Sequence, residues 1–571
     1  MLGYKRFGAL TIFAVACLLL AACSGGGYGG SGGGGGGTPT YTIGGNVSGL
    51  LGTVVLQDNA GDNLSVSANG AFAFATALAY TASYSVTVFT QPVGQVCSVA
   101  NGTGTVGRAT VTNIAITCAA GRWGLPSLVS NDLIFSVSDM QLAGDGVGNM
   151  FLAGPWATIN PSNVGVAVLQ KPIGSGWGAQ FEISPIKTIS VPTYVSNFIK
   201  PQIRADSAGN AAATWIDMDH SIGSTDRDFL SNLYVQNYDK VTGWGSPILM
   251  QSDPTEYVIS DNLTVQADGT AWVVWSERTY KDPIFSVLDK FALFAAKYTP
   301  LVGWGAAEKV TADYAITPLS ESYPDGRITT DNNGNPTVLW TDGLTLYATR
   351  KTAGVWGSPE VVVAFLSTPG TANVIHDFDI AVDGSGNAIA VWQRLDSTGM
   401  TKTVYSNRYV ANTVWTGVTT MSNLIFQNAD AVSPKLAMDS SGNAFLLWSQ
   451  FDGFMLAIWS ARFDHISGWQ TLATISSSSQ LVDSPQIGVD KLGNAVAIWR
   501  QYDFGLNKTL IRACRYDSNT GWGTDRFISN GNGVAFNPQL AVSGDGHATA
   551  VWGQDDVGNA SFKMWSNDFA P

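Results

Sequence analysis

The chain has 571 residues, a formal net charge of −13 and only 13% charged residues, with 64 glycines and abundant Trp, Tyr and Phe. That length exceeds one ordinary domain, and the composition is that of a β-rich globular chain rather than a disordered one. The acidic balance excludes a basic stripe for nucleic acid and a broad electrostatic dock on anionic lipid, so no nucleic-acid partner is expected.

Residues 1–22 read as an export signal. Lys5 and Arg6 precede an apolar run, Phe7 to Leu20, too short to span a bilayer comfortably. The run ends in Leu20-Ala21-Ala22-Cys23, which resembles the lipobox of bacterial lipoproteins. The resemblance implies cleavage before Cys23 and lipid on its thiol, hence a membrane partner through the anchor. Ser24 follows, and in lipoproteins of this kind a residue other than Asp there implies the outer membrane. Residues 23–39 are a Gly-rich tether that can bury no apolar area. No strand precedes these glycines and no helix or Lys follows, so they are no phosphate loop.

Residues 40–120 show short alternating runs between Gly, Asn and Pro, which predicts a small antiparallel β-sandwich with a hairpin at Asn69-Gly70. Cys97 and Cys118 are the expected disulfide. The segment resembles the Ig-like or prealbumin-like spacers of bacterial surface lipoproteins and carries no catalytic constellation. Cys514, within RACRY, reads as a buried thiol, with no His in sequence reach to activate it.

From residue 121 one pattern recurs. It is clearest in IRADSAGNAAATWIDMD (203–219), ITTDNNGNPTVLWTDG (328–343), IAVDGSGNAIAVWQRLD (380–396), LAMDSSGNAFLLWSQFD (436–452) and IGVDKLGNAVAIWRQYD (487–503). Looser copies start at Leu263 and Leu540, and a degenerate one at Leu142. A strand-rich period of about 50–65 residues means a propeller or solenoid. Each unit reads as four strands, the last beginning at a Gly-Trp element, as at Trp244, Trp304 and Trp522. The final unit stops at Pro571 without a fourth strand, while residues 121–130 supply a fourth strand with no unit of its own. The expectation is therefore all-β: a sandwich followed by a closed propeller over 121–571, eight blades of four strands, with 121–130 completing the last blade. Seven blades is the alternative, if the degenerate unit is not a blade.

The Asp-x-x-Gly-Asn cluster falls between the first and second strands. Gly supplies positive φ and the Asp and Asn side chains bond the local backbone, so Asp206, Asn210, Asp331, Asn335, Asp383, Asn387, Asp439, Asn443, Asp490 and Asn494 read as structural turn residues. Calcium is the competing reading, but no copy offers enough oxygen ligands. The order of Asp, Gly and aromatic partly resembles the Asp-box of sialidase propellers, without its spacing. The second-strand Trp residues read as core, with sugar-stacking the alternative.

Polar residues follow each second-strand Trp at fixed offsets. Asp217, Asp219, Glu277, Arg394, Asp396, Asp452, Asp503 and Asp556 would form a mostly acidic ring on the face of variable loops, the candidate ligand face. The bland reading is that strand ends near water are polar. An enzyme would need convergent carboxylates, and a sialidase-like one an arginine cluster. Arg204, Arg278, Arg327, Arg394 and Arg500 exist without an Arg-Ile-Pro-like segment, and no catalytic residue can be singled out. The four His residues show no metal-ligand spacing, so neither metal nor cofactor is expected. The sequence favours a lipid-anchored envelope protein whose propeller binds or scaffolds a protein partner. Carbohydrate binding comes second, and enzymatic activity is the weakest reading.

Overall fold

The computed structural model describes residues 38–571 except 51–52, 91, 93–94, 121, 131–133, 136–138, 158–162, 189–197, 220–229, 252–256, 280–289, 316–324, 365–374, 396–400, 423–429, 478, 480 and 557–561. The signal, Cys23 and most of the tether lie outside these residues, as does Asp396.

Before residue 121, two four-stranded sheets share one core. One orders Gly70–Ala73, Ile43–Ser48, Val111–Ala120 and Gln95–Ala100; the other orders Asp62–Val66, Val54–Asp58, Ser83–Thr90 and Thr103–Thr105. Ile43, Leu56, Phe74, Val86 and Ile116 meet between them. Cys97 and Cys118 are bonded and stand directly opposite each other in the register. Two expectations are corrected. The sandwich is not wholly antiparallel, because Val111–Ala120 pairs parallel with Ile43–Ser48. The chain crosses the second sheet before returning to the first, and such a crossover permits a parallel neighbour. Asn69-Gly70 is not a hairpin turn, since the strands it joins belong to different sheets. Asn69 instead pins that corner, accepting from the Leu50 N–H at 2.7 Å and donating to the Leu50 carbonyl at 3.0 Å.

Beyond residue 121 the described residues form eight further antiparallel sheets, each starting from an inner strand followed by two long partners and an outer edge that is broken in most of them. The inner strands pack in chain order: Gln141–Gly144, Phe198–Ala205, Tyr257–Val265, Gly326–Thr330, His376–Val382, Ala431–Met438, Val482–Val489 and Gly533–Val542. The last also packs on the first, so the run of neighbours returns to its start. Arg122–Trp123 and Ser127–Ser130 pair antiparallel with Phe562–Ala570, giving the C-terminal sheet its outer strand. The architecture is all-β and propeller-like.

The second strands lie between neighbouring sheets and are buried on both faces, as in Ala444–Phe451. Their Trp residues 215, 275, 340, 392, 448, 499 and 552 are each at most 1% exposed. Trp215 packs against Val166 and Val168 of the preceding sheet, and Trp552 against Ile498 and Ile511. Aromatic burial of this kind contributes about 3–5 kcal/mol per ring, judged by truncation to Ala. The outer-strand Trp residues pack on third-strand aromatics: Trp244 on Tyr238, Trp469 on Phe463 and Trp522 on Tyr516. Arginines from the third strands then bridge sheet to sheet. Arg350 lies over Tyr409 at 3.4 Å, Arg408 over Phe463 at 5.1 Å, Arg462 over Tyr516 at 6.0 Å and Arg515 over Phe569 at 5.4 Å.

The repeated turn is a closed hydrogen-bond unit. In Asp490-Lys491-Leu492-Gly493-Asn494, Asp490 Oδ1 accepts from the Leu492 and Asn494 backbone N–H groups at 2.8 and 2.9 Å, and Oδ2 accepts from Asn494 Nδ2 at 2.8 Å. Asp206, Asp331, Asp383 and Asp439 do the same with their own turns. So does Asp145, in the copy that reads as degenerate. The Asn also reaches sideways: Asn494 Oδ1 accepts from the Ser518 N–H and Asn387 Oδ1 from the Ala411 N–H, which ties this turn to the one joining the third and fourth strands. The carboxylate oxygens are spent on N–H donors, where a calcium ion would need free acceptors. Replacing Asp490 by Ala leaves buried donors without an acceptor. We expect it to lower unfolding stability by about 2–4 kcal/mol in urea, while a chelator leaves the wild-type midpoint unchanged. A midpoint that falls on chelation would restore the calcium reading.

Candidate functional site

The inner strands surround a polar channel with a cavity of about 630 Å³. Four residues before each turn, one side chain per sheet lines this space: Gln141, Gln202, Asn262, Arg327, Asp379, Lys435, Gln486 and Gln539. All eight are polar. The fold shapes this belt by a repeated irregularity. The register slips between Val432 and Lys435, between Asp483 and Gln486, and between Phe536 and Gln539. At these slips Ser433, Ser484 and Asn537 have φ of 58°, 53° and 49°, and Asp377 precedes Asp379 with φ of 43°. Left-handed backbone at non-glycine residues is strained, and a bulge re-aims the side chains that follow it. Two residues beyond each strained position stands a belt residue.

A charged cluster occupies one side. Arg327 Nη1 pairs with Asp325 Oδ2 at 2.7 Å. Asp379 Oδ1 accepts from the Ile380 N–H at 3.0 Å and Oδ2 from the Leu436 N–H at 3.2 Å. The buried Asp261 accepts from the Thr214 hydroxyl. Burial pushes the Asp261 carboxyl up to about 7, with nearby Asp325 adding to the rise, while Thr214, Arg327 and Arg204 oppose it. Arg204 is pulled below the usual guanidinium range by burial and by facing Arg327, against the pull of Asp379 and Asp261. Burial also acts against the charge on Arg327, but Asp325 and Asp379 outweigh it.

The residues proposed from sequence as an acidic ring do not form one among the described side chains. Glu277 is 1% exposed and accepts from the Trp275 indole N–H at 2.6 Å. Gln450 and Gln501 cap Trp448 and Trp499 in the same way. Residues two apart on a strand share a face, so the polar group meets the indole instead of water. Asp217 and Arg394 are likewise buried. Asp452 Oδ1 accepts from the Phe454 and Met455 N–H groups and Asp503 Oδ1 from the Leu506 N–H, so both are hairpin residues. Asp219 and Asp556 end the strands Ala211–Asp219 and Ala548–Asp556. Of the five arginines, only Arg204 and Arg327 line the channel; Arg500 is bound to Asp483. Among the described residues no group of three His, Cys, Asp or Glu side chains could hold a metal ion. Cys514 is buried, and burial raises its thiol to about 12, leaving it unreactive.

The chain matches no protein-family description and no curated protein. Its fold is similar to solved structures at low identity. A protein of unknown function from Dyadobacter fermentans is 9% identical, with 79% of this chain and 98% of that one covered and a TM-score of 0.35. The α-L-arabinanase of Penicillium chrysogenum is 10% identical, with 54% and 92% covered and a TM-score of 0.33. The NanB sialidase of Streptococcus pneumoniae is 10% identical, with 74% and 84% covered and a TM-score of 0.33. Likeness this distant carries no argument about chemistry.

The folded-state value of Asp261 lies above that of an unfolded aspartate. The group therefore favours folding fully only below about pH 4, and that contribution is lost as pH rises through about 7. We expect urea stability of the wild type to fall between pH 4 and 7 relative to Asp261→Asn, and the difference to stay constant above that window. Parallel curves across the range would contradict the assignment.

Proposed function

We propose that the protein is a lipid-anchored envelope protein built on a closed eight-bladed propeller, and that its central channel binds a carbohydrate. The observation that carries this reading is the belt. Among the described residues, Gln141, Lys435, Gln486 and Gln539 have no side-chain hydrogen-bond partner, although the fold strains its inner strands to aim residues at this level inward. Lys435 is exposed and the three glutamines are half-buried, so their polar groups stay open to water or a ligand in the channel. Side-chain amides present a donor and an acceptor side by side, and sugar hydroxyls both donate and accept, so a belt of amides matches a polyol better than an apolar ligand. The continuous run of inner-strand neighbours and the pairing of residues 122–130 with the last strand support closure into eight blades. Closure would leave no exposed sheet edge.

A protein partner is the second reading. Phe454 is 86% exposed and Phe504 54% exposed, on hairpins of neighbouring sheets beside Asp452 and Asp503, which is a fair apolar and acidic contact patch. The channel is favoured because its polar groups converge and four of them, Gln141, Lys435, Gln486 and Gln539, are unused among the described residues.

The test of the channel is a triple variant, Gln141→Ala with Gln486→Ala and Gln539→Ala, set against an oligosaccharide panel by calorimetry. Binding by the wild type that weakens at least about tenfold in the variant, with the unfolding midpoint kept, supports the reading; undiminished binding contradicts it. For the anchor, we expect Cys23→Ser to abolish metabolic incorporation of labelled acyl chains and release the protein from membranes. Retained label would place the lipid elsewhere.

A further inference from the structure

We infer that the channel recognises an acidic group on its ligand, a carboxylate or sulfate ester, through Arg204 together with Arg327. This rests on the carbohydrate reading and narrows its ligand class. The fold has already used the carboxylates that line the channel. Asp325 is taken by Arg327. Asp379 accepts two backbone N–H groups, one on each oxygen. Asp261 is held by Thr214, and Asp139 has partners of its own. The cations are used less fully. Arg204 donates Nη1 to the Ile203 carbonyl at 2.8 Å and makes no ion pair among the described residues. Lys435, exposed in the same cavity, has no partner among them. The unspent capacity is therefore cationic, although aspartates outnumber the basic residues along the wall.

Position strengthens the inference. Arg204 and Arg327 line the same channel wall, and Arg327 adds to what disfavours the charge on Arg204. An incoming anion would relieve that repulsion and meet the fork of Arg204, which no carboxylate occupies among the described residues, while Arg327, held by Asp325, adds its charge beside it. Gln202 shares the inner strand of Arg204, two residues before it, and Gln141 lies on the neighbouring sheet, which places amide donors and acceptors beside the acidic position for the hydroxyls of the same sugar.

The test titrates the full chain in detergent with uronic-acid trisaccharides, with their carboxyl-reduced neutral counterparts, and with sodium sulfate. We expect each bound acidic sugar to bind at least about tenfold tighter than its reduced partner, and Arg204→Gln to erase that preference while leaving neutral binding in place. Equal affinity within a pair, or a preference that survives Arg204→Gln, would overturn the inference and leave the carbohydrate reading standing. Sulfate binding that depends on Arg204, with no trisaccharide bound, would support the anion site and overturn the carbohydrate reading. Binding of none of the probes would overturn both.

Discussion

Six of the eight sheets beyond residue 121 depend on an aspartate in the turn between first and second strands. One carboxylate answers three N–H donors, and the Asn it holds reaches across to the turn between third and fourth strands. The four strands of a sheet are thereby locked at one end. The same carboxylate also sets the spacing between sheets. Gly442 has φ of 87°, and a Cβ there would come within 2.9 Å of Asp383 Oδ2 in the preceding sheet. Glycine is required twice over, for its backbone conformation and for the close approach. Packed Trp residues and the arginine–aromatic stacks hold the sheets together farther out, but the turns set how closely the inner strands gather.

That gathering creates the channel, whose polar side chains stay open where those between the sheets are closed off. Elsewhere many polar side chains are answered: the indoles of Trp275, Trp448 and Trp499 by Glu277, Gln450 and Gln501, turn amides by aspartates, some guanidinium groups by aromatic faces; others, such as the indole N–H groups of Trp215 and Trp392, are not. In the channel the inner strands adopt strained backbone and leave amides and cations facing open space. Unpaired polar groups cost about 1–3 kcal/mol each when water is excluded, so they persist where water or a ligand answers them. Stability is concentrated in the turns and between the sheets, and the open polar groups line the lumen.

Much of this was legible in the sequence. The Asp-x-x-Gly-Asn spacing has a local cause, so its turn could be read without tertiary information, and the alternation around each Trp marked the core. Asp145 and Asn149 show that even the weakest copy keeps the motif where it bonds. The belt was also present, as a polar residue four positions before every turn, but the aligned motif began one residue too late and left it out. Its meaning in any case needed the ring, because polar residues in separate strands give no sign that they converge. The described members of the expected acidic ring stand apart for a related reason. The polar residues two after the Trp turn to the indole, as Glu277, Gln450 and Gln501 do, while Asp452 and Asp503 bond the backbone of their own hairpins. Asn69-Gly70 carried a sound hairpin signal that the sandwich uses at a corner, where tertiary pairing overrides local preference.

The central claim is that the turns hold the molecule and the channel serves it. The most direct measurement is a crystal structure of the protein soaked with the oligosaccharide that binds it best. The account predicts sugar density within the channel, in contact with Gln486 or Gln539 and with Arg204, and turns unchanged from the free protein. Density confined to the hairpins around Phe454 and Phe504, with only water along the inner strands, would contradict it.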